Sequence, residues 1–424
     1  MTGSGIINRV MNKLSPGRAR IAVLLYGLKL FFTPARYRFF RIQNRINYRS
    51  FFDAFFRPRK SVWMTLLAPG ELIRAAGYTP IVMESVGGVL GALGLTRMFL
   101  GYTVETGVPS SLCTFHRAHL SVVLKNGFYP PGHGVAVSAL CDGNLRSLQE
   151  ICGRYGSPFH FIDIPDPDSP GAETFIRTQL EEVFRELGGA DTGRSGSGGS
   201  GSAHYLESLR QAVSYAEEAR NWRDRVNELR REKYFPKLKP MALAWSLLNY
   251  TAQFGSKGSA DYYKSLYRAL ETKGAPIPEN RLRFLLMHLP PTYAHPVVDT
   301  IAEKGGIIAI EEFNTIPIPP LDPETPFTSI ADRLLSVHMV GNPKKRIDHI
   351  NRLVRDYRID GIINFAHWGC RTSSGAINLI KERVEAPLLS IETDLVDSES
   401  SSAGQIKTRV ESFIEMLQGQ TAKG

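Results

Sequence analysis

Long apolar runs are missing from this 424-residue chain. No segment reaches the ~18 unbroken apolar residues that a membrane-spanning helix needs. The nearest, residues 21–32, is interrupted by Lys29. Arg18 and Arg20 before it give it the look of a signal peptide, yet Phe31-Phe32-Thr33-Pro34-Ala35-Arg36 is a poor small-residue cleavage site. Cysteine is also scarce: Cys113, Cys141, Cys152 and Cys370 are the only four. So few in so long a chain exclude a disulfide framework. They point to a reducing, cytoplasmic compartment, and to metal or catalytic use for any cysteine that matters. No C-x-x-C pair exists. The dinucleotide fingerprint G-x-G-x-x-G is lacking too, and Gly87-Gly88-Val89-Leu90-Gly91 is glycine-rich with the wrong spacing, so a nicotinamide site has little support.

Acidic residues are nearly absent from positions 1–60. Thirteen Lys and Arg stand there against Asp53 alone, a net of +12. The whole chain carries +10, which leaves −2 for the other 364 residues. The excess therefore belongs to an N-terminal arm. The arm interleaves bases with aromatics: Arg36, Tyr37, Arg38, Phe39, Phe40 and Arg41, then Arg45, Tyr48, Arg49, Phe51, Phe52, Phe55 and Phe56. Such a stretch suits an amphipathic helix on an anionic membrane, a nucleic-acid contact, or a helix packed on the body or on a second subunit. Packing is preferred, because large apolar groups are costly to leave in water. Nothing elsewhere in the chain supports nucleic acid.

What is present is an α/β alternation. Short apolar runs at 62–67, 79–83, 134–140 and 159–164 read as strands with helical segments between them, and those at 284–289, 307–310, 361–365 and 388–392 repeat the pattern. The fold class expected is α/β, with two Rossmann-like parallel-sheet domains, connecting helices and a helical N-terminal arm. The boundaries are 1–60 for the arm, 61–190 for the first domain, 191–202 for a Gly/Ser linker, 203–280 for a helical connection and 281–424 for the second domain. The linker has the regularity of an engineered one and carries no functional argument.

Three of the four cysteines occupy comparable places. Cys113 lies in the first turn of a helix expected over 111–125. Cys141 and Cys370 follow strands, where ligands bind in open α/β sheets. Gly369 makes a tight turn before Cys370, and Thr372 and Ser373 are good caps for the helix that follows. Free N–H groups at a helix start favour a thiolate. Taken singly, a cysteine here reads as a buried structural residue. Taken together, three thiolates meeting in an inter-domain cleft suit an iron–sulfur cluster with one open iron, or a zinc site with three thiolates. Cys152 reads as packing.

Three motifs go further. Pro69-Gly70-Glu71-Leu72-Ile73-Arg74-Ala75-Ala76-Gly77-Tyr78-Thr79-Pro80, Asp360-Gly361-Ile362-Ile363 with His367-Trp368-Gly369-Cys370-Arg371, and the ending from Gly404-Gln405 to Glu415-Met416-Leu417 resemble the 2-hydroxyacyl-CoA dehydratase and benzoyl-CoA reductase subunits, the D-component family. The resemblance covers roughly residues 61–190 and 240–418. It implies that Cys113, Cys141 and Cys370 hold a [4Fe–4S] cluster between the two domains. It also implies an ATP-hydrolysing activator that supplies a low-potential electron, an acyl-CoA substrate that is dehydrated or reduced, and a second, homologous subunit or copy of the chain as partner. His116, Arg117, His367 and Arg371 flank the cysteines and stand where they would tune the cluster. The basic arm departs from the family pattern, as do His116 and Arg117 after Cys113 and Ser412 in the closing motif. Four cysteines are too few for the related double-cubane proteins. The rivals are an electron-relay or scaffold subunit of the same fold, and a zinc or redox-sensing protein.

Overall fold

A computed structural model describes residues 27–28, 36–124, 131–189, 200–248 and 253–421. Most of the 21–32 segment and residues 191–199 of the Gly/Ser linker lie outside these residues, while positions 200–202 of the linker are helical. Among the described residues no helix is long and apolar enough to cross a membrane.

The arm forms helix α1 (Arg38–Phe56). Tyr37 and Phe39 are buried, and their rings meet Phe235. Arg38, Arg41, Arg45 and Arg49 recur at three- and four-residue spacing and are all exposed, because that spacing keeps side chains on one helix face. The described part of the arm therefore packs on the body through Tyr37 and Phe39, as the preferred of its three readings has it, while Phe51 and Phe52 are half-buried and Phe56 is exposed.

The first sheet comes next in the chain. Its elements are β1 (Ser61–Met64), α2 (Gly70–Ala75), β2 (Thr79–Val82), α3 (Met83–Ala92), α4 (Thr96–Glu105), α5 (Thr114–Leu124), β3 (His133–Val137), α6 (Asp142–Tyr155), β4 (Phe159–Ile162) and α7 (Ala172–Gly189). The strands pair in the order β2-β1-β3-β4, all parallel. Strands β1 and β3 are buried along their whole length, as helix-covered parallel strands must be. Residues 83–105 correct the sequence reading, which saw only a glycine-rich stretch there: they form α3 and α4. Gly87 serves packing, since a Cβ there would stand 2.8 Å from the carbonyl oxygen of Phe115. Tertiary contact has overridden the low helix propensity of glycine.

A connecting layer holds α8 (Ser200–Leu229), β5 (Lys233–Tyr234), α9 (Pro240–Leu247), α10 (Lys257–Lys273) and β6 (Ala275–Pro276). It is fastened to the second sheet by a buried two-pronged ion pair, Arg230 to Glu311, at 2.7 and 2.9 Å.

The second sheet contains β7 (Arg283–Met287), α11 (Pro296–Glu303), β8 (Ile307–Glu311), α12 (Pro326–Leu335), α13 (Pro343–Tyr357), β9 (Gly361–His367), α14 (Arg371–Ser374), α15 (Ile377–Arg383), β10 (Leu388–Thr393) and α16 (Ala403–Thr421). Its order is β10-β9-β7-β8, again parallel throughout. In each sheet the chain adds one strand on one side of the first and then crosses to the other side. The strand order thus reverses between β1 and β3, and between β7 and β9. Such switch points leave crevices at the carboxyl ends of the strands.

Candidate functional site

The two crevices face each other across one cavity of about 60 Å³. Leu66 follows β1, Leu140 and Cys141 follow β3, His288 and Leu289 follow β7, and His367, Gly369 and Cys370 end or follow β9. Cys113, Phe115 and His116 come from the start of α5. The structure therefore brings Cys113, Cys141 and Cys370 to one place. Cys152 is elsewhere, buried on α6 beside Gly134 of β3.

The halves are tied together at this point. Thr372 Oγ1 donates to the carbonyl of Leu140 at 2.9 Å, and Thr114 Oγ1 donates to Asp394. Asp394 also accepts the backbone N–H groups of Val396 and Asp397 at 2.8 Å each. Thr372 is thus a bridge between the halves rather than a cap. Ser373 Oγ accepts the N–H of His367 at 3.0 Å and closes the turn. The helix expected after Cys370 is broken into the four-residue α14 and then α15, which leaves the dipole argument little to act on.

Each thiol meets one imidazole. His367 Nε2 lies 3.1 Å from Cys113 Sγ, His116 Nε2 lies 3.5 Å from Cys141 Sγ, and His288 Nε2 lies 3.4 Å from Cys370 Sγ. His367 Nδ1 accepts the N–H of Leu395 at 3.1 Å. Its proton is therefore on Nε2, facing the sulfur. Burial holds all three imidazoles neutral: His116 is pushed well below the usual histidine range, His367 is lowered, and His288 falls to about 3.

The Cys113 and Cys141 thiols are shifted the other way. Burial pushes Cys141 up to about 12 and Cys113 well above its usual value, and nearby Cys370 raises both further. Three anionic sulfurs cannot share so dry a place unless a positive centre compensates them. This donor set suits an iron–sulfur cluster, whose irons are that centre. Among the described residues no group of three or more His, Cys, Asp or Glu side chains is already closed around a metal-ion position.

Two of the flanking residues read from sequence are not in the cavity wall. Arg117 is one step round α5 from His116, which turns it toward α4, and its Nη2 reaches Thr103 Oγ1 at 3.4 Å. Arg371 is exposed and pairs with Asp142 at 3.1 Å on the rim. Trp368 is exposed beside it.

Other residues of the site escaped the sequence reading. His288 lies 82 positions from Cys370. Glu84, at the start of α3, lines both the thiol cavity and an adjoining cavity of about 290 Å³. Its Oε1 accepts from the N–H of Leu66 at 3.3 Å and from Asn144 at 3.4 Å, while Oε2 is shut off from solvent without a partner. Burial raises this carboxyl to about 7, against the pull of those donors. Val82, Val89, Leu248 and Trp245 give the adjoining cavity an apolar wall, and Gln43 and Asn47 of α1 close it on the arm side.

Two parallel sheets with opposed switch points and three convergent cysteines define an α/β protein with a thiol-lined cavity between its halves. The sequence pattern of the family described as "2-hydroxyglutaryl-CoA dehydratase, D-component" matches residues 65–417. The chain belongs to that family. It is also similar to a benzoyl-CoA reductase subunit of Thauera aromatica, 30% identical over 100 residues, and to the dehydratase subunit YjiM of Escherichia coli (strain K12), whose own function is provisional, 31% identical over 97 residues. These alignments cover 23% and 22% of this chain, and 23% and 24% of the respective relatives. α1, with its part of the adjoining cavity, precedes the family match.

Proposed function

We propose that the chain is the iron–sulfur subunit of a 2-hydroxyacyl-CoA dehydratase or a benzoyl-CoA reductase-like enzyme, with Cys113, Cys141 and Cys370 holding a [4Fe–4S] cluster. The observation that carries this reading is that three cysteines far apart in sequence line one cavity at two facing switch points. When bound, such a cluster supplies a low-potential electron and an open iron that polarises a thioester carbonyl.

The chain's own residues do the rest. His116 and His367 direct ring nitrogens at two of the sulfurs and so adjust their charge. The apolar cavity takes the acyl group and keeps water from it. Glu84 stands between that cavity and the thiols, and with a pKa of about 7 its Oε2 both accepts and returns a proton near neutral pH. Arg371 and exposed Trp368 lie on the rim, where an ATP-dependent electron donor and a homologous subunit or second copy would approach.

The test is iron and sulfide content after anaerobic purification. About four irons per chain are expected for one cluster of this kind. Cys113→Ala, Cys141→Ala and Cys370→Ala should each lose iron, and Cys152→Ala should keep it. Full iron in Cys370→Ala would overturn the assignment. Turnover of an acyl-CoA with activator and ATP then separates a catalytic subunit from an electron relay.

A further inference from the structure

His288 adopts a backbone conformation that few residues other than glycine accept. It directly follows β7, and its φ is +66°, in the left-handed region where a Cβ crowds the carbonyl oxygen. Residues held in this way collect where the surrounding structure fixes them for a purpose.

The clamp is visible. The N–H of His288 donates to Glu312 Oε2 at 2.9 Å. Glu312 is fully buried and takes two further bonds from Arg346, Nε at 2.6 Å and Nη2 at 2.8 Å. The remaining arm of that guanidinium, Nη1, donates to the carbonyl of Thr372 at 2.5 Å, two residues past Cys370. His338 Nε2 adds a contact to Glu312 at 3.2 Å. One buried carboxylate and one buried guanidinium thus lock the end of β7 to the turn after β9. The ring they orient packs edge-on against Phe313, with centroids 5.4 Å apart, and presents Nε2 to Cys370 Sγ. Nδ1 is buried without a partner. A proton there would be an unsatisfied buried donor, so the proton belongs on Nε2, where the sulfur receives it.

We propose that His288 is a positioning residue for the metal centre. Its Nε2–H hydrogen-bonds the Cys370 sulfur, and the Glu312–Arg346 clamp holds the strained backbone that aims it, so this corner sets the reduction potential of the cluster rather than its retention. The proposal rests on the cluster assignment above. Hydrogen bonds to ligand sulfurs stabilise the more negative, reduced form and so raise the potential.

The experiment compares wild type, His288→Gly and His288→Asn after anaerobic purification. Iron per chain and the midpoint potential are read by electron paramagnetic resonance during a redox titration. Glycine accepts the left-handed φ and removes the ring, so this variant folds without the strain. Asparagine also tolerates that φ and keeps an N–H donor. The expected result is wild-type iron in both variants, a more negative potential in His288→Gly, and a shift back toward wild type in His288→Asn. An unchanged potential in His288→Gly overturns the proposal. Iron loss in His288→Gly also overturns it, by making His288 a ligand. A wild-type protein without iron removes the cluster assignment itself, an outcome distinct from both.

Discussion

Gly369 lies so close to Cys113 that a Cβ on it would stand 2.8 Å from the Cys113 amide nitrogen and 2.5 Å from the Ser111 carbonyl oxygen. The two residues belong to opposite halves, so this backbone-to-backbone approach is how the turn after β9 seats against the start of α5. Its φ of +73° demands glycine a second time. Gly369→Ala should destabilise the fold by about 1–3 kcal/mol through strain and overpacking, and it should lower iron per chain by displacing Cys370 from Cys113. Gly404→Ala is the control: nothing lies within 4 Å of its added Cβ, and it sits in α16, where alanine is preferred. Thermal melts and iron content of the two variants decide the matter. Equal iron in Gly369→Ala and wild type would show that the seat is not needed.

Glu84→Gln tests the proton path. Glutamine keeps an Oε1 acceptor for Leu66 and Asn144 but removes the titrating oxygen. Turnover should fall about 10²–10⁴-fold, the usual contribution of general acid–base catalysis, while iron content stays at the wild-type level. The wild-type rate should titrate with a group of pKa about 7, and that limb of the pH profile should vanish in the variant. A variant with full turnover would assign the proton transfer to another group.

Acid should destabilise the chain before it meets the carboxylates. Burial lowers His119, His133 and His295 to about 4, and none of the three lines the thiol cavity, although the His119 ring meets that of His116. Unfolding returns each to about 6.5, so between about pH 6.5 and 4 the unfolded chain binds more protons than the folded one. Their contribution is complete above pH 6.5 and is lost as pH falls toward 4. For the fully buried His119 the shift is worth roughly 3 kcal/mol. Denaturant midpoints of metal-free protein should therefore fall between pH 7 and 5. His119→Phe, which removes a titrating group that must stay neutral, should flatten the slope. An equal slope in the variant would contradict the sign argued here.

The limits of the sequence reading come from what each signal measures. Strands β7 and β9 were legible because parallel strands covered on both faces are continuous apolar runs. Strand order was not, since no residue in β1 says that β3 rather than β2 borders the crevice. His116 and His367 were found because they are close in sequence to cysteines. His288 was missed because its partner lies 82 residues away, although a polar residue ending an apolar strand before Pro290-Pro291 was a usable sign. Arg346 stands in Lys344-Lys345-Arg346, which reads as a solvated charge run, and only the tertiary fold turns it inward onto Glu312. Arg117 and Arg371 stand outside the cavity wall for the converse reason: adjacency in sequence does not fix which side of a helix or rim a side chain takes.

The arm poses the last test. Phe39 has no exposed surface and lies between Phe235 and Tyr262, with ring centroids 6.1 and 6.0 Å away. Its burial fixes the inner face of α1 on the body, and the outward Arg38, Arg41 and Arg49 leave that contact untouched. Phe39→Ala should cost about 3–5 kcal/mol, the usual loss for a buried aromatic, and the loss should be the same at low and high salt. Arg41→Glu should leave stability within about 0.5 kcal/mol, as surface changes do. For α1 to sink Phe39 into a bilayer it would first have to surrender the contacts with Phe235 and Tyr262. Cosedimentation with phosphatidylserine vesicles should therefore be no greater for wild type than for a chain with Arg38, Arg41 and Arg49 all changed to Glu. Salt-sensitive binding by wild type that the triple variant lacks would mean that the arm also serves a membrane, through its outer charges at roughly 1 kcal/mol each.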